Sequence, residues 1–331
     1  MVGNAVKAHL IKAVVKVSSD WNAPLFTGKL VKSLLIDVDP NLKEVFKKIQ
    51  GVEPKLIHIT PLYESSKGKI RCIYSSAEVD ERGRLRRVSN VRVNGIYEFY
   101  IGFIERFNTN DILKFDRIYS TLLDVSGVYE YSKHKFIIEL TTLRTFDVEE
   151  IASRSLSMLF KNGVLRMIFS SPTMLRDPFR SHKYKSLVPL PLNVFSTPLY
   201  IYLILTGKMN QKHYMKTLIA IHRILNETHA IISKDEFEAT VKVRHIYYEE
   251  GKILPTITGY VNYRLNMDVF EKYRKVYDIE MLLHTLMKLI ITIGTGTSRA
   301  SGFGHILLST PQSIQNKNSS RSCGVSGGDL I

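Results

Sequence analysis

Apolar positions along residues 5–17 fall into two alternating sets. Val6, Ala8 and Leu10 share one parity, and Ile11, Ala13, Val15 and Val17 share the other. The segment predicts a strand with a bulge where the parity changes. The period then lengthens. Phe26, Leu30 and Leu34 recur at i, i+4 and i+8, which predicts a helix over residues 27–38 with Lys29, Lys32 and Ser33 on the opposite face. A short helix follows from Pro40 to Ile49, ending at Gly51. Strand patterns occupy residues 55–63 and 69–75, a turn residues 81–84, and a further strand residues 91–105, with Asn94-Gly95 as a turn inside it. Ile112, Phe115, Tyr119 and Leu122 make the face of a second helix over residues 109–123, and residues 135–143 form a closing strand. Strand, helix, strand, strand, helix, strand is the ferredoxin-like βαββαβ order.

A polar helical linker over residues 146–151 marks a boundary. It divides the chain into domains at 1–150 and 151–310. The second half opens with a strand over residues 164–170 and a long loop over 171–185. Thr197-Pro198 supplies an N-cap and first turn for a helix ending at Gly207. Another helix covers residues 212–226, and paired strands cover 239–248 and 256–265. Ile279, Leu282, Leu283, Leu286 and Ile290 then form the core face of an apolar helix over residues 279–291, and Ile306 to Leu308 make a last strand. The expected class is α+β, with two tandem ferredoxin-like domains. Gln, Asn, Ser and Gly dominate residues 311–331, which are expected to be a disordered tail.

Charge narrows the class of partner. Lys and Arg number 46 against 31 Asp and Glu, a net charge of +15, which points to a polyanion: nucleic acid or an anionic membrane. The longest apolar run, Met281 to Ile293, is interrupted by His284 and Lys288 and is too short to cross a bilayer. The N-terminus lacks a secretory apolar stretch. Cys72 and Cys323 form no Cys/His cluster, and no carboxylate cluster suggests a two-metal site. The expectation is a cytoplasmic nucleic-acid-binding protein with no metal and no cofactor.

The stretch Ile293-Gly-Thr-Gly-Thr-Ser-Arg-Ala-Ser-Gly-Phe-Gly-His305 follows the apolar helix and precedes the last strand. It is neither a Rossmann fingerprint nor a P-loop, given that position and the missing GK[ST]. Gly294, Gly296, Gly302 and Gly304 flank Ser298 and Arg299, a composition suited to an anion cradle with an added permanent charge. The spacing G-x-G-x5-G-Φ-G, with Phe303 at Φ, resembles the C-terminal signature of the RAMP superfamily of CRISPR-associated proteins. Phe169-Ser-Ser-Pro-Thr-Met-Leu175 resembles the segment that opens the second domain in its endoribonuclease family, which cuts precursor crRNA within the CRISPR repeat. The resemblance covers residues 5–310. It implies metal-independent cleavage by the 2′-hydroxyl, leaving 2′,3′-cyclic phosphate and 5′-hydroxyl ends.

That family commonly uses a tyrosine on the first helix, a histidine on the second and a lysine on the next strand. Here Lys32 stands at the tyrosine position and Lys47 at the histidine position, while the strand lysine is present as Lys55. Some archaeal members are similar, with helix lysines and no histidine. Lys29, Lys32 and Lys55 are therefore the catalytic candidates, His58 and His305 the alternatives. By strand parity His58 faces away from Lys55. RNA contacts are expected from Gly294, Gly296, Ser298, Arg299, Gly302 and Gly304, from Arg176, Arg180 and Lys183, and from the Arg82, Arg84, Arg86, Arg87 cluster, with Phe179 and Tyr184 for stacking. The expected partner is CRISPR repeat RNA. Other effector subunits, or a second copy of the chain, are further partners the resemblance allows. A RAMP subunit that binds crRNA without cutting it is the alternative function.

Overall fold

The computed structural model describes residues 6–309 apart from 48–53, 67–68, 83, 107–111, 181–183, 226, 230–231, 234–239, 251 and 276–277. Lys183 and residues 311–331 lie outside the described residues. The first half runs β1 (Val6–Ser19), β2 (Asn22–Ala23), α1 (Thr27–Val38), α2 (Leu42–Phe46), β3 (Ile57–Ile59), β4 (Tyr63–Ser66), β5 (Lys69–Cys72), β6 (Ala77–Val79), β7 (Leu85–Val88), β8 (Val91–Arg92), β9 (Gly95–Arg106), α3 (Phe115–Leu123), β10 (Gly127–Tyr131) and β11 (His134–Phe146). Among the described residues, seven strands form one antiparallel sheet in the order β10-β11-β1-β9-β4-β5, with β3 also on β9.

The second half runs α4 (Val148–Asn162), β12 (Val164–Thr173), β13 (Leu175–Arg176), β14 (Lys185–Ser186), α5 (Pro191–Val194), α6 (Ser196–Leu205), α7 (Gln211–Ile224), β15 (Glu227–His229), β16 (Ile232–Ser233), β17 (Val241–Glu249), β18 (Lys252–Arg264), α8 (Met267–Arg274), α9 (Ile279–Ile293), a 3-10 turn at Arg299–Ser301 and β19 (Ile306–Ser309). Its main sheet has the order β16-β17-β18-β12-β19, with β15 also on β18. The central strands and helices of each half follow the strand–helix–strand–strand–helix–strand order, and the molecule is α+β, with one main sheet in each half and three two-stranded ribbons among the described residues.

The parity change in β1 has a different cause from the expected bulge. Pairing with β9 runs unbroken from Val6 to Val17. Ile11, Ala13, Val15 and Val17 enter the core of the first half, whereas Leu10, on the other face, enters the core of the second. Both faces of the strand are therefore buried where the pattern seems to slip. The register shift lies instead at Val14/Val15, against β11.

The expected linker at 146–151 is the start of a 15-residue helix, α4. Asp147 caps it by accepting from the Glu149 and Glu150 N–H groups, and Gly163 ends it in the left-handed conformation. Its buried stripe, Val148, Ala152, Leu156 and Leu159, packs on α9. The described part of the second helix of the first half begins at Phe115, and β10 adds a hairpin partner for β11 that the pattern did not reveal.

α9 connects the halves. Leu283, Leu286 and Ile290 join the second core, while Leu289 and Ile293 join the first. Its last turn lies directly on β9 at Gly102, where a Cβ would fall on the Thr292 carbonyl oxygen. No residue but glycine fits that contact. A third cluster of Phe26, Met174, Ile246 and Phe303 closes the seam beside α1, with Phe26 and Phe303 stacked at 4.4 Å between ring centroids.

Candidate active site

The glycine loop springs from α9 at Gly294, whose φ is +67°. The Thr295 N–H donates to the Gly304 carbonyl at 2.9 Å and closes the loop on itself. Gly304 N–H donates to Pro172 O at 3.0 Å, and Thr297 N–H donates to Met174 O at 3.0 Å, tying the loop to β12 and the residues after it. A Cβ on Gly296 would meet the Met174 carbonyl oxygen, and one on Gly304 the Thr295 carbonyl oxygen. The four glycines are buried. They answer a packing demand, so the loop is wedged between the halves, not open as an anion cradle. Its exposed residue is Ser298, at φ +60°, with Thr297 and Ser301 partly exposed.

Arg299 also departs from expectation. Its side chain is turned inward, with the residue only 7% exposed. Nη1–H donates to Ile293 O at 2.8 Å and Nη2–H donates to Lys55 O at 2.9 Å. The guanidinium therefore fastens the end of α9 to the segment leading into β3 and offers no open face to a phosphate. Burial draws its pKa down to about 10.

Behind it sit two buried histidines. His58 Nδ1–H donates to the Arg299 carbonyl at 3.1 Å, which leaves Nε2 as an acceptor for His305 Nδ1–H at 3.2 Å. The rings stack at 5.3 Å, and Tyr100 stacks on His305 at 5.1 Å. Burial holds His58 well below the usual histidine range and His305 at about 3. Both are neutral at physiological pH and out of reach of substrate. They hold the loop against β3.

The expected catalytic lysines meet on the outer side of this junction. Lys29 and Lys32 come from α1, whose N-terminal turn touches the 3-10 turn: a Cβ on Gly28 would stand 2.9 Å from the Gly302 Cα. Lys55 comes from the residues just before β3. Lys29 is engaged by the tip of the β17–β18 hairpin, with Nζ donating to Glu249 at 2.7 Å and lying 4.1 Å over the Tyr248 ring. Lys55 Nζ donates to Phe46 O at 2.7 Å, and Lys32 Nζ lies 5.5 Å over the Phe46 ring. Neither pairs with a carboxylate among the described residues.

The row Lys29, Lys32, Lys55, Arg299 is thus neutralised by a carboxylate at one end and built into the fold at the other. Its middle pair keeps positive charge in a half-buried setting. Burial and then Lys29 lower the Lys32 pKa. Burial, then Lys32, then Arg299 bring Lys55 down to about 8. An amine at that value gives up and regains a proton near neutral pH, the property general acid–base catalysis requires. Glu249, Tyr248 and Phe46 complete the surroundings. The chain pattern carried no sign of them, since they approach α1 only through tertiary packing.

Lys47, which the resemblance set against a histidine, is exposed and ion-paired with Glu44 one turn back. Lys47→Ala is expected to change cleavage by less than about twofold and stability by less than about 0.5 kcal/mol, read by single-turnover cleavage and thermal unfolding.

The outlying basic groups lie on two ribbons. Arg84, Arg86 and Arg87 are exposed on or beside β7, with Arg82 at the turn, and the ribbon joins β17 through a bridge from Ser76 to Ile246. On the other ribbon Arg176 stands opposite Lys185, whose pKa is lowered by burial and by Arg176. Arg180 is exposed and 3.5 Å from Asp177. No group of His, Cys, Asp or Glu among the described residues is placed to hold a metal. No helix among them is long and apolar enough to cross a membrane.

Residues 10–146 match the family model of the Cas6 N-terminal domain. No curated protein matches the chain. Among solved structures, the fold is similar to that of a Cas6 in a product complex, with a TM-score of 0.52 and 13% identity over 92% of this chain and 100% of that one. Thermus thermophilus Cas6 gives 0.50 and 12% over 93% and 100%. The product of a Cas6-related gene from Pyrococcus furiosus gives 0.50 and 11% over 92% and 100%. At these identities the likeness is one of fold.

Proposed function

We propose that this Cas6-family chain is an endoribonuclease that cuts CRISPR repeat RNA in precursor crRNA without a metal. The observation that carries the reading is Lys55, held at about 8 beside Lys32 where α1, α2 and the glycine loop meet. Neutral Lys55 takes the proton of the 2′-hydroxyl. The 2′-oxygen bonds to phosphorus while the bond from phosphorus to the 5′-oxygen breaks. Lys32, as the protonated partner of the pair, stabilises the phosphorane and delivers a proton to the leaving oxygen. The products are a 2′,3′-cyclic phosphate and a 5′-hydroxyl, with no water consumed. Lys29, shared with Glu249, holds α1 in place and adds to the field.

Phosphates are taken by Arg86 and Arg87 on one ribbon and by Arg176 and Arg180 on the other, with the exposed Ser298 as a further contact and Lys183, outside the described residues, as another. The ribbons supply affinity, and Tyr184 and Phe179, both well exposed, stack on unpaired bases.

The test is incubation of end-labelled repeat RNA with excess protein in EDTA. The expected result is one cut per repeat, with a 2′,3′-cyclic phosphate on the upstream product. Salt-sensitive binding without any product would instead select the second reading, a RAMP subunit that holds crRNA uncut. That reading is favoured by the missing histidine.

A further inference from the structure

We infer that Arg299 is a positioning residue for Lys55, acting from beneath the site through the Lys55 backbone and its own buried charge, and not an RNA contact. The inference deepens the proposed function and rests on it for the role of Lys55 in cleavage. The Arg299 side chain crosses from the glycine loop into the first half and ends on the carbonyl of the candidate base itself. Its other donor is spent on Ile293, the last residue of α9. Its own carbonyl is held by His58, which His305 fixes in turn. Movement of Lys55 relative to α9 is therefore resisted from both sides of one arginine.

The same arrangement sets a field. A guanidinium stays charged at any pH the protein meets, and buried charge is little screened by salt. Among the described residues the charges that act on Lys55 are Lys32 from α1 and Arg299 from the loop, with Lys29 acting on Lys32. Glu249 is engaged by Lys29, and Lys47 on the α2 side is closed on Glu44. His58 and His305 are neutral. The cations thus face Lys55 without a carboxylate to offset them among the described residues, which agrees with the direction of its shift.

The test reads the Lys55 amine directly, by the pH dependence of its acylation, measured by peptide mass spectrometry on the full chain. The wild-type midpoint is expected near 8. Arg299→Gln is expected to raise it by somewhat under one unit, since burial and Lys32 act more strongly than Arg299. RNA affinity should stay within about twofold, and the pH–rate profile should move upward in step. Arg299→Lys keeps the charge but cannot fork between two carbonyls. It should leave the midpoint within about half a unit while lowering the cleavage rate roughly tenfold through misplacement. If Arg299→Gln does not fold, Arg299→Lys decides the matter, and a rise to the ordinary lysine value there overturns the inference. So does an unchanged midpoint in Arg299→Gln accompanied by a tenfold or greater loss of RNA affinity and a shallower salt dependence, the signature of a phosphate contact. Should the wild-type protein cut no RNA, the acylation midpoints still judge Arg299, and only the catalytic reading falls.

Discussion

Lys55→Met is expected to lower the single-turnover cleavage rate by about 10²–10⁴-fold, the usual worth of a general base, and to reduce RNA affinity by about tenfold at most. Lys55→Arg fails comparably, since it restores charge but cannot accept a proton at these pH values. In the wild type the rate is expected to climb tenfold per pH unit up to about 8 and then level, as the neutral amine accumulates. Neither variant retains that rise. Stability supplies an independent check with an opposite sign. The folded-state pKa of Lys55 lies below its unfolded value of 10.5, so between about 8 and 10.5 the unfolded chain binds more protons. That group therefore makes stability rise with pH through that window, and it weighs against the fold at neutral pH. Lys55→Met removes the ionisable group, so its melting temperature at pH 7 is unchanged or higher. Loss of activity with retained stability marks a functional residue on a strained site. A large fall in melting temperature together with the rate would assign Lys55 a structural role and defeat the mechanism.

Periodicity showed most of the regular elements because burial on one side writes a repeat into the chain. α1 and α9 were legible for that reason, with Leu30 and Leu34 in one stripe and Leu283, Leu286 and Ile290 in the other. α4 was obscured by its polar opening. Glu149 and Glu150 follow a capping aspartate and favour the helix N-terminus, so what read as a linker is a well-formed start. β1 was misread at Leu10 because one strand serves two cores, a fact about the partner domain and not about the strand. The site divides in the same way. Lys32 and Lys55 were singled out because they stand where the resemblance puts a residue of the first helix and a strand lysine, and the helix face set Lys29 beside Lys32. The inward turn of Arg299 could not, since an arginine among glycines is equally consistent with open phosphate binding. Only the burial of the loop between the halves decides it. The glycines make the same point, for their spacing was visible while the contacts that require them are tertiary.

Gly102→Ala is the substitution with the largest expected cost to the fold. Gly102 sits in the middle of β9, paired with Leu10 on one side and His58 on the other, without the positive φ that usually explains a glycine. The reason for it is room. A methyl group there would occupy the place of the Thr292 carbonyl oxygen in the last turn of α9. Both elements are main chain and both are buried, so relief requires moving α9 off the sheet or bending β9 at its centre. Overpacking of this kind costs about 3 kcal/mol, at the upper end of the usual range. In a chain of this size that lowers the melting temperature by roughly 5–10 °C. Gly163→Ala is the matched control. Gly163 has φ +66° but nothing within 4 Å of a Cβ, so only backbone strain is felt there, about 1 kcal/mol. The two should also separate in function. Displacing the end of α9 carries Ile293 with it, and through Arg299 the carbonyl of Lys55. Below its melting transition Gly102→Ala should therefore cut RNA at least about tenfold more slowly, with the Lys55 acylation midpoint altered, while Gly163→Ala cuts at the wild-type rate. Equal melting temperatures for the two variants would mean that α9 does not rest on β9 as described. Equal cleavage rates would mean that the junction holds the halves together without setting the geometry of the lysines.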